Sequence, residues 1–258
     1  MQYDFSEQTV VITGAAQGIG RAIARAFSDE EAHVWLCDID KVTLDETLKL
    51  CTEHSITGKP NKGKINAHVV DVTIQQDVLA FVERVGRIDI LVNCAGGVRG
   101  QEGRPIEEIT PSDWHALFQV NTDSTFWFSQ AVTPMMKKNT FGRIINISSG
   151  AGLGISLTGI QAYAASKAAQ IGLTRQLAHE LGPFGITVNS IAPGFVRSNP
   201  SSERQWQKFG QDKQQQILSG IAMRRLGDPK DIANGVLFFA AKESQWITGQ
   251  ILSIDGGK

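Results

Sequence analysis

Thr9-Val10-Val11-Ile12-Thr13-Gly14-Ala15-Ala16-Gln17-Gly18-Ile19-Gly20-Arg21 is the stretch that decides the fold. Residues 8–13 form a short apolar, β-branched run, the pattern of a buried strand. The glycine turn follows at once, and a helical pattern runs over 21–28. Strand, glycine turn and helix in succession present backbone N–H groups and a helix N-terminus to a phosphate. Glycines let the backbone turn tightly and approach the ligand with no Cβ in the way. The spacing is Gly-x-x-x-Gly-x-Gly rather than the commoner Gly-x-Gly-x-x-Gly, so the turn alone does not establish a nucleotide site.

The same alternation continues along the chain. Residues 33–37 make a second strand that ends in Asp38. An acidic residue about 20 positions beyond the glycines, at a strand end, is placed to accept hydrogen bonds from an adenosine ribose. Its carboxylate would repel a 2′-phosphate and no arginine stands directly beside it, which favours NAD over NADP. A helix is expected over 40–53, a surface loop over 54–64, and a third strand over 65–70 leading into Asp71 and Val72, at the adenine edge. A short helix over 75–85 precedes a fourth strand at 88–92, closed by Asn93-Cys94-Ala95-Gly96-Gly97. A long helix over 112–136 carries Asn121, and Pro134 predicts a late kink or stop. A fifth strand, 143–147, runs into Ser148-Ser149; a sixth, 186–191, ends at Pro193-Gly194. The polar segment 195–226 reads as a helical flap over the site, followed by a helix at 229–241 and a last strand at 250–254. With no internal repeat and no domain boundary, this predicts one α/β domain over 1–258: a Rossmann-type, doubly wound parallel sheet of about seven strands with helices on both faces.

Tyr163-Ala164-Ala165-Ser166-Lys167 opens the helix predicted to run to about Leu181. Tyrosine and lysine four apart lie on one helix face, one turn apart. A free phenol has a pKa of about 10, too high for a base at neutral pH, and a fixed positive charge beside it is expected to lower that value. The pair is then a general acid/base for a proton on an alcohol or carbonyl oxygen. In isolation Tyr-x-x-x-Lys is more often ordinary helix surface; the nucleotide-binding context is what selects the chemical reading.

The totals exclude other classes. Among 258 residues, 41% are apolar and 26 are glycine, fitting a core-forming enzyme with many turns, and a net charge of −1 gives no electrostatic case for nucleic acid or membrane. Cys37, Cys51 and Cys94 form no Cys-x-x-Cys pair and no cluster with histidine, so no metal site is expected and a reducing compartment is the simplest inference. The first residues show no secretory pattern, and no apolar run approaches the ~20 residues of a membrane span. A cytoplasmic location is the expectation.

Taken together, Thr13-Gly14-x-x-x-Gly18-Ile19-Gly20, Asp71, Asn93-Cys94-Ala95-Gly96, Asn121, Ser149, Tyr163-x-x-x-Lys167 and Pro193-Gly194 resemble the short-chain dehydrogenase/reductase family over essentially the whole chain. The resemblance implies a nicotinamide cofactor across the strand ends, held by Gly14, Gln17, Gly18, Ile19, Gly20, Asp38, Asp71, Val72, Asn93, Ala95, Gly96, Tyr163, Lys167, Pro193, Gly194, Val196 and Ser198. It implies Tyr163 as acid/base and Lys167 as the group that holds the nicotinamide ribose and lowers the Tyr163 pKa. Ser149 would hydrogen-bond the substrate oxygen, with Ser148 as the alternative, and Asn121 would position a water linking Lys167 to solvent. Cys94 stands where the family usually has a second asparagine, and Ser198 where a threonine often contacts the carboxamide. A homotetramer, paired through the helices around 112–136 and 161–181, is also implied.

The expected reaction is reversible hydride transfer between NAD and a secondary alcohol, hemiacetal or carbonyl. Around the substrate, 97–104, 150–161 and 195–226 offer mostly hydrogen-bond donors, Arg99, Gln161, Arg197, Arg204 and Trp206 foremost. That lining predicts a sugar, polyol or sugar acid rather than a long apolar chain, with the arginines suggesting an anionic group. The alternatives are an NADPH-dependent 3-ketoacyl reductase and a non-catalytic cofactor-binding scaffold, which the four catalytic side chains argue against.

Overall fold

A computed structural model describes residues 3–53 and 63–258 of the chain. Most of the loop read over 54–64 lies outside the described residues. Thr9–Thr13 is strand β1, buried from Val10 onward, and the turn after it leads into helix α1 (Gly18–Asp29). Then follow β2 (His33–Asp38), α2 (Lys41–Glu53), β3 (Ile65–Val69), α3 (Gln75–Val85) and β4 (Ile90–Asn93). The second half holds α4 (Pro111–Phe118), α5 (Ser124–Asn139), β5 (Gly142–Ile147), α6 (Gln161–Leu181), β6 (Ile186–Pro193), α7 (Pro200–Gly220), α8 (Pro229–Ala240) and β7 (Ile251–Ile254).

All seven strands lie in one sheet in the order β3-β2-β1-β4-β5-β6-β7, and each neighbouring pair is parallel. The chain builds outward from β1 in one direction, returns, and builds outward from β4 in the other. A crevice therefore opens between β1 and β4 at the carboxyl ends of the strands, where open α/β sheets bind ligands. Alternate side chains of each strand face opposite sides. Val10 and Ile12 pack with Ile23, Phe27, Val236 and Phe239 on one face, while Val11 and Leu91 pack with Phe81, Phe128, Val132 and Leu181 on the other.

The helix expected over 112–136 is three pieces. After α4 the backbone widens into a π-helical turn at Gln119–Asp123 before α5 resumes. π-turns of this kind concentrate at functional sites, and this one carries Asn121. Pro134 neither stops nor ends α5, which continues to Asn139. Pro134 and Gln130, whose carbonyl loses its intrahelical donor, both lie on the exposed side, where water can take the donor's place. The flap is helix α7, started by an Asn199–Ser202 capping box and Pro200, and broken at Gly210 (φ 69°, ψ 166°).

Candidate active site

The glycine turn is packed too closely for any other residue. A Cβ at Gly20 would lie 2.0 Å from the carbonyl oxygen of Gly14, and one at Gly14 would lie 2.7 Å from Cα of Ala95. Thr13 clamps the turn's strand to the end of β4 by accepting from the N–H groups of Cys94 (3.0 Å) and Ala95 (2.9 Å). Asp38 closes the other side. Its Oδ2 accepts from the Ala16 N–H at 3.0 Å and its Oδ1 from the Asp40 N–H at 3.1 Å. Arg21, the arginine of this turn, is bound to the carbonyl of Ala16, to Thr47 and to Glu46, and so is not available to a phosphate on the ribose.

A cavity of about 740 Å³ runs from this turn across the strand ends to Tyr163. It is lined by every residue that the sequence assigns to the cofactor except Gly18 and Asn93. Gly18 sits behind the wall, where a Cβ would meet the Ser198 carbonyl at 2.8 Å. Asn93 is turned into the interior, donating to Asn146 Oδ1 (2.9 Å) and Ser129 Oγ (3.3 Å). A cradle shaped for a backbone without Cβ atoms, at the N-terminus of α1 and ending at a carboxylate, fits a dinucleotide.

At the far end, Tyr163 and Lys167 share one face of α6, with Lys167 Nζ 5.9 Å from the Tyr163 ring centroid. Lys167 is buried and donates to the carbonyl oxygen of Ile147 at 2.9 Å. Burial pulls its pKa down to about 8. For Tyr163 the expected lowering is reversed. Burial pushes the phenol above its ordinary value, and the hydrogen bond to Ser149 offsets only part of that. The cause is that burial penalises the phenolate and the ammonium alike. Cys94, which also lines the cavity, is raised by burial to about 12 and is a neutral thiol at physiological pH.

The two serines after β5 separate cleanly. Ser148 is buried, donates to the Ile191 carbonyl at 3.0 Å and accepts from Ser190 at 2.8 Å. Ser149 lines the cavity and faces the Tyr163 hydroxyl. Asn121 lies behind the wall. Its Oδ1 accepts from the Gly97 N–H at 2.9 Å, and its Nδ2 donates to the carbonyls of Gly97 (3.1 Å) and Leu117 (2.9 Å). The side chain thus pins the 96–97 backbone beside Lys167.

The substrate-side expectations fare differently. Of Arg99, Gln161, Arg197, Arg204 and Trp206, only Arg99 lines the cavity. Gln161 donates to the Arg104 carbonyl at 2.8 Å, and Arg197 is held by Glu203 at 2.6 Å. Arg204 is exposed away from the cavity, and Trp206 is buried against Phe195, Phe209 and Ile217. An amphipathic helix turns its large aromatic inward and its cations outward. The cavity that Tyr163 lines is also lined by the apolar Leu153, Ile155, Leu157 and Phe195, which the sequence reading passed over. The signal for the first three was available as an apolar alternation within the glycine-rich stretch 150–159. Among the described residues no cluster of His, Cys, Asp or Glu could hold a metal, and no helix is long and apolar enough to cross a membrane.

A doubly wound sheet with a glycine cradle at its switch point and a Ser-Tyr-Lys group at the other end of one cavity defines a nicotinamide-dependent oxidoreductase. The comparisons agree. The family model described as enoyl-(acyl carrier protein) reductase matches residues 14–258. The 3-oxoacyl-(acyl-carrier-protein) reductase FabG of Thermotoga maritima is 39% identical over 251 residues, covering 96% of this chain and 96% of that protein. The (2S)-[(R)-hydroxy(phenyl)methyl]succinyl-CoA dehydrogenase subunit BbsD of Thauera aromatica is also 39% identical, over 97% of this chain and 96% of that one. A crystal structure of a 3-oxoacyl-(acyl-carrier protein) reductase with bound NAD from Brucella melitensis superimposes with a TM-score of 0.86 at 34% identity, covering 99% of this chain and 93% of that one. The chain belongs to the short-chain dehydrogenase/reductase family, as an oxidoreductase of hydroxyl and keto groups.

Proposed function

We propose that this protein interconverts 3-oxoacyl and 3-hydroxyacyl thioesters, using NAD(H). The observation that carries the substrate class is that Leu153, Ile155, Leu157 and Phe195 line the same cavity as Tyr163, while Arg197 is paired with Glu203 and Trp206 is buried in its own apolar cluster. A sugar or polyol would need many placed donors, and of the five residues foremost in supplying them only Arg99 lines the cavity. That reading finds no support. The relatives named above, which act on 3-oxoacyl and substituted succinyl thioesters, support the thioester class.

NAD over NADP rests on Asp38, whose carboxylate is fixed at the end of β2 by two backbone N–H groups and has no free arginine beside it. The cofactor supplies hydride exchange at the reacting carbon. Gly14, Gly20 and the N-terminus of α1 would receive its pyrophosphate, and Lys167 its nicotinamide ribose. Ser149 orients the substrate oxygen, and the Tyr163 hydroxyl gives or takes its proton. Burial holds the Tyr163 phenol in its protonated form in the ligand-free chain, ready to donate. Asn121 acts by fixing the 96–97 backbone against Lys167.

The test is initial-rate kinetics with NADH and NADPH over acetoacetyl thioesters, aldoses, polyols and steroid ketones. Turnover confined to sugars or polyols sinks the thioester reading, and equal kcat/KM for the two cofactors sinks the NAD reading. A homotetramer is the assembly proposed. Ala168 and Gly172 leave an exposed small-residue strip on α6, and Phe126 is exposed on α5. A monomeric mass by sedimentation at micromolar concentration removes it.

A further inference from the structure

The cations near the substrate end of the cavity differ in one respect. Arg104 is held by Asp113 at 2.7 Å, Arg197 by Glu203 at 2.6 Å, and Lys208 by Glu102. Arg99 lines the cavity and forms no ion pair among the described residues. Its backbone stands at φ 46°, in the left-handed region, between Gly97 (φ 139°) and Gly100 (φ 76°). A third glycine at 99 would adopt that conformation freely. A long side chain is kept there against a conformational cost, a pattern that accumulates at ligand-binding positions. The other non-glycine residues with positive φ, Glu31, Thr140 and Arg224, are not in the cavity lining.

The root of this loop is fixed at the reacting end. The Gly97 N–H donates to Asn121 Oδ1 at 2.9 Å, and a Cβ on Gly96 would lie 3.2 Å from Lys167 Nζ. Arg99 follows three residues after Gly96, at most about 10 Å of extended chain. Its guanidinium is thus within reach of a group a few carbons from the reacting carbon. The phosphates of a thioester carrier lie beyond the whole pantetheine arm. Leu153 and Ile155, 49% and 97% exposed respectively, line the same cavity and offer apolar surface to methylene groups.

We propose that Arg99 reads a carboxylate at the end of the acyl chain, so that the preferred substrates are monothioesters of 3-oxo- or 3-hydroxydicarboxylic acids. Guanidinium meets carboxylate through two parallel hydrogen bonds. This deepens the thioester reading and rests on it.

The experiment compares 3-oxoadipyl-N-acetylcysteamine, which carries no phosphate, with its methyl ester, a matched neutral chain. The wild-type protein with NADH should favour the acid by about tenfold or more in kcat/KM. Arg99→Asn, a residue that tolerates the left-handed region, should bring that ratio close to one. Arg99→Lys should retain part of it. Arg99→Gly, which removes the backbone cost, should fold at least as stably as the parent and lose the same preference. A wild-type ratio near one, or a ratio unmoved in Arg99→Asn and Arg99→Gly, overturns the proposal. A loss in Arg99→Asn that is equal for acid and ester and confined to their coenzyme A thioesters would assign Arg99 to the carrier phosphates and overturn it as well. Should neither compound be turned over while other carbonyls are, the thioester reading fails by itself. Calorimetric affinities of the same two ligands for the NADH-loaded protein then decide on Arg99, with equal affinities counting against it.

Discussion

Lys167 Nζ donates to the carbonyl oxygen of Ile147 at 2.9 Å, tying the middle of α6 to the end of β5 two residues before Ser149. This hydrogen bond helps to set the distance between the helix that carries Tyr163 and the strand end that carries its serine partner. The same burial that fixes the lysine opposes its charge.

That opposition has a sign that can be measured. Lys167 titrates near 8 in the folded, ligand-free chain against an ordinary 10.5. Between those two values the unfolded chain holds the extra proton, so unfolding free energy rises with pH across the window. Below about 8 the folded state bears the full cost of a buried ammonium. Lys167→Met should therefore be more stable than the parent at pH 6–7, by on the order of a few kcal/mol. The gap should narrow as pH rises toward 10.5. Urea titrations at pH 6.5 and 9.5 measure it, and a gap that widens with pH contradicts the burial argument.

Tyr163→Phe removes the hydroxyl that Ser149 faces and leaves the ring and the Lys167 contact in place. Turnover should fall by at least about 10²-fold, kcat and kcat/KM together. NADH affinity, read by fluorescence titration, should stay within about threefold of the parent, because the glycine turn, Asp38 and Lys167 are left in place and Tyr163 is one of many predicted cofactor contacts. A variant that keeps most of the parent's kcat would place the base elsewhere.

Asp38 is bound by the Ala16 and Asp40 N–H groups, and the neighbouring Ile39 side chain is exposed. Replacing both, Asp38→Ala with Ile39→Arg, removes the anion and supplies a phosphate partner at the same edge. The kcat/KM ratio of NADPH to NADH should rise by about tenfold or more, the factor equivalent to 1.4 kcal/mol. No change in the ratio would mean that the ribose is not read at this strand end.

The central strands were legible because β1 and β4 are buried apolar runs closed by glycine or small residues, and periodicity reports burial directly; β3 and β7, at the sheet edges, are less buried and were read from their punctuation. The cradle was legible because glycine is the residue whose absence of side chain is itself the signal; at Gly20 a Cβ has 2.0 Å of room. The π-turn at Gln119–Asp123 was not, since one widened turn leaves the apolar spacing of the flanking helices intact. Nor was the orientation of the flap. Arg197, Arg204 and Trp206 lie in the right segment, but position along a chain does not state which helix face meets the cavity. Trp206 follows the hydrophobic side into the cluster with Ile217. The sign of the Tyr163 shift was missed for a related reason, because burial depth is a tertiary property and the lysine four residues on is a local one.

Between α5 and α6 a chain of buried polar groups gives a last expectation. Asn146 Nδ2 donates to Thr174 Oγ1 at 2.9 Å, and Asn146 Oδ1 accepts from Asn93 at 2.9 Å. Gln170 Nε2 donates to Thr125 Oγ1 at 2.7 Å, and that hydroxyl donates to the Asn121 carbonyl at 2.9 Å. All of these side chains are buried. Asn146 serves neighbours on both sides, so Asn146→Ala takes the acceptor from one N–H of the Asn93 amide, which keeps Ser129, and the donor from Thr174, which keeps its bond to the Gln170 carbonyl. Leaving one buried N–H unpaired should cost about 1–3 kcal/mol. Gln170 is different, because its Oε1 has no protein donor and the Thr125 hydroxyl keeps its bond to Asn121 without it. Gln170→Leu removes a buried amide together with its desolvation cost and should be within about 1 kcal/mol of the parent, on either side. Gln170→Glu, which buries a charge of similar shape, should be far worse than either. Chemical denaturation of the three variants orders them, and a Gln170→Leu penalty as large as that of Asn146→Ala would show that the amide is a structural member of the network.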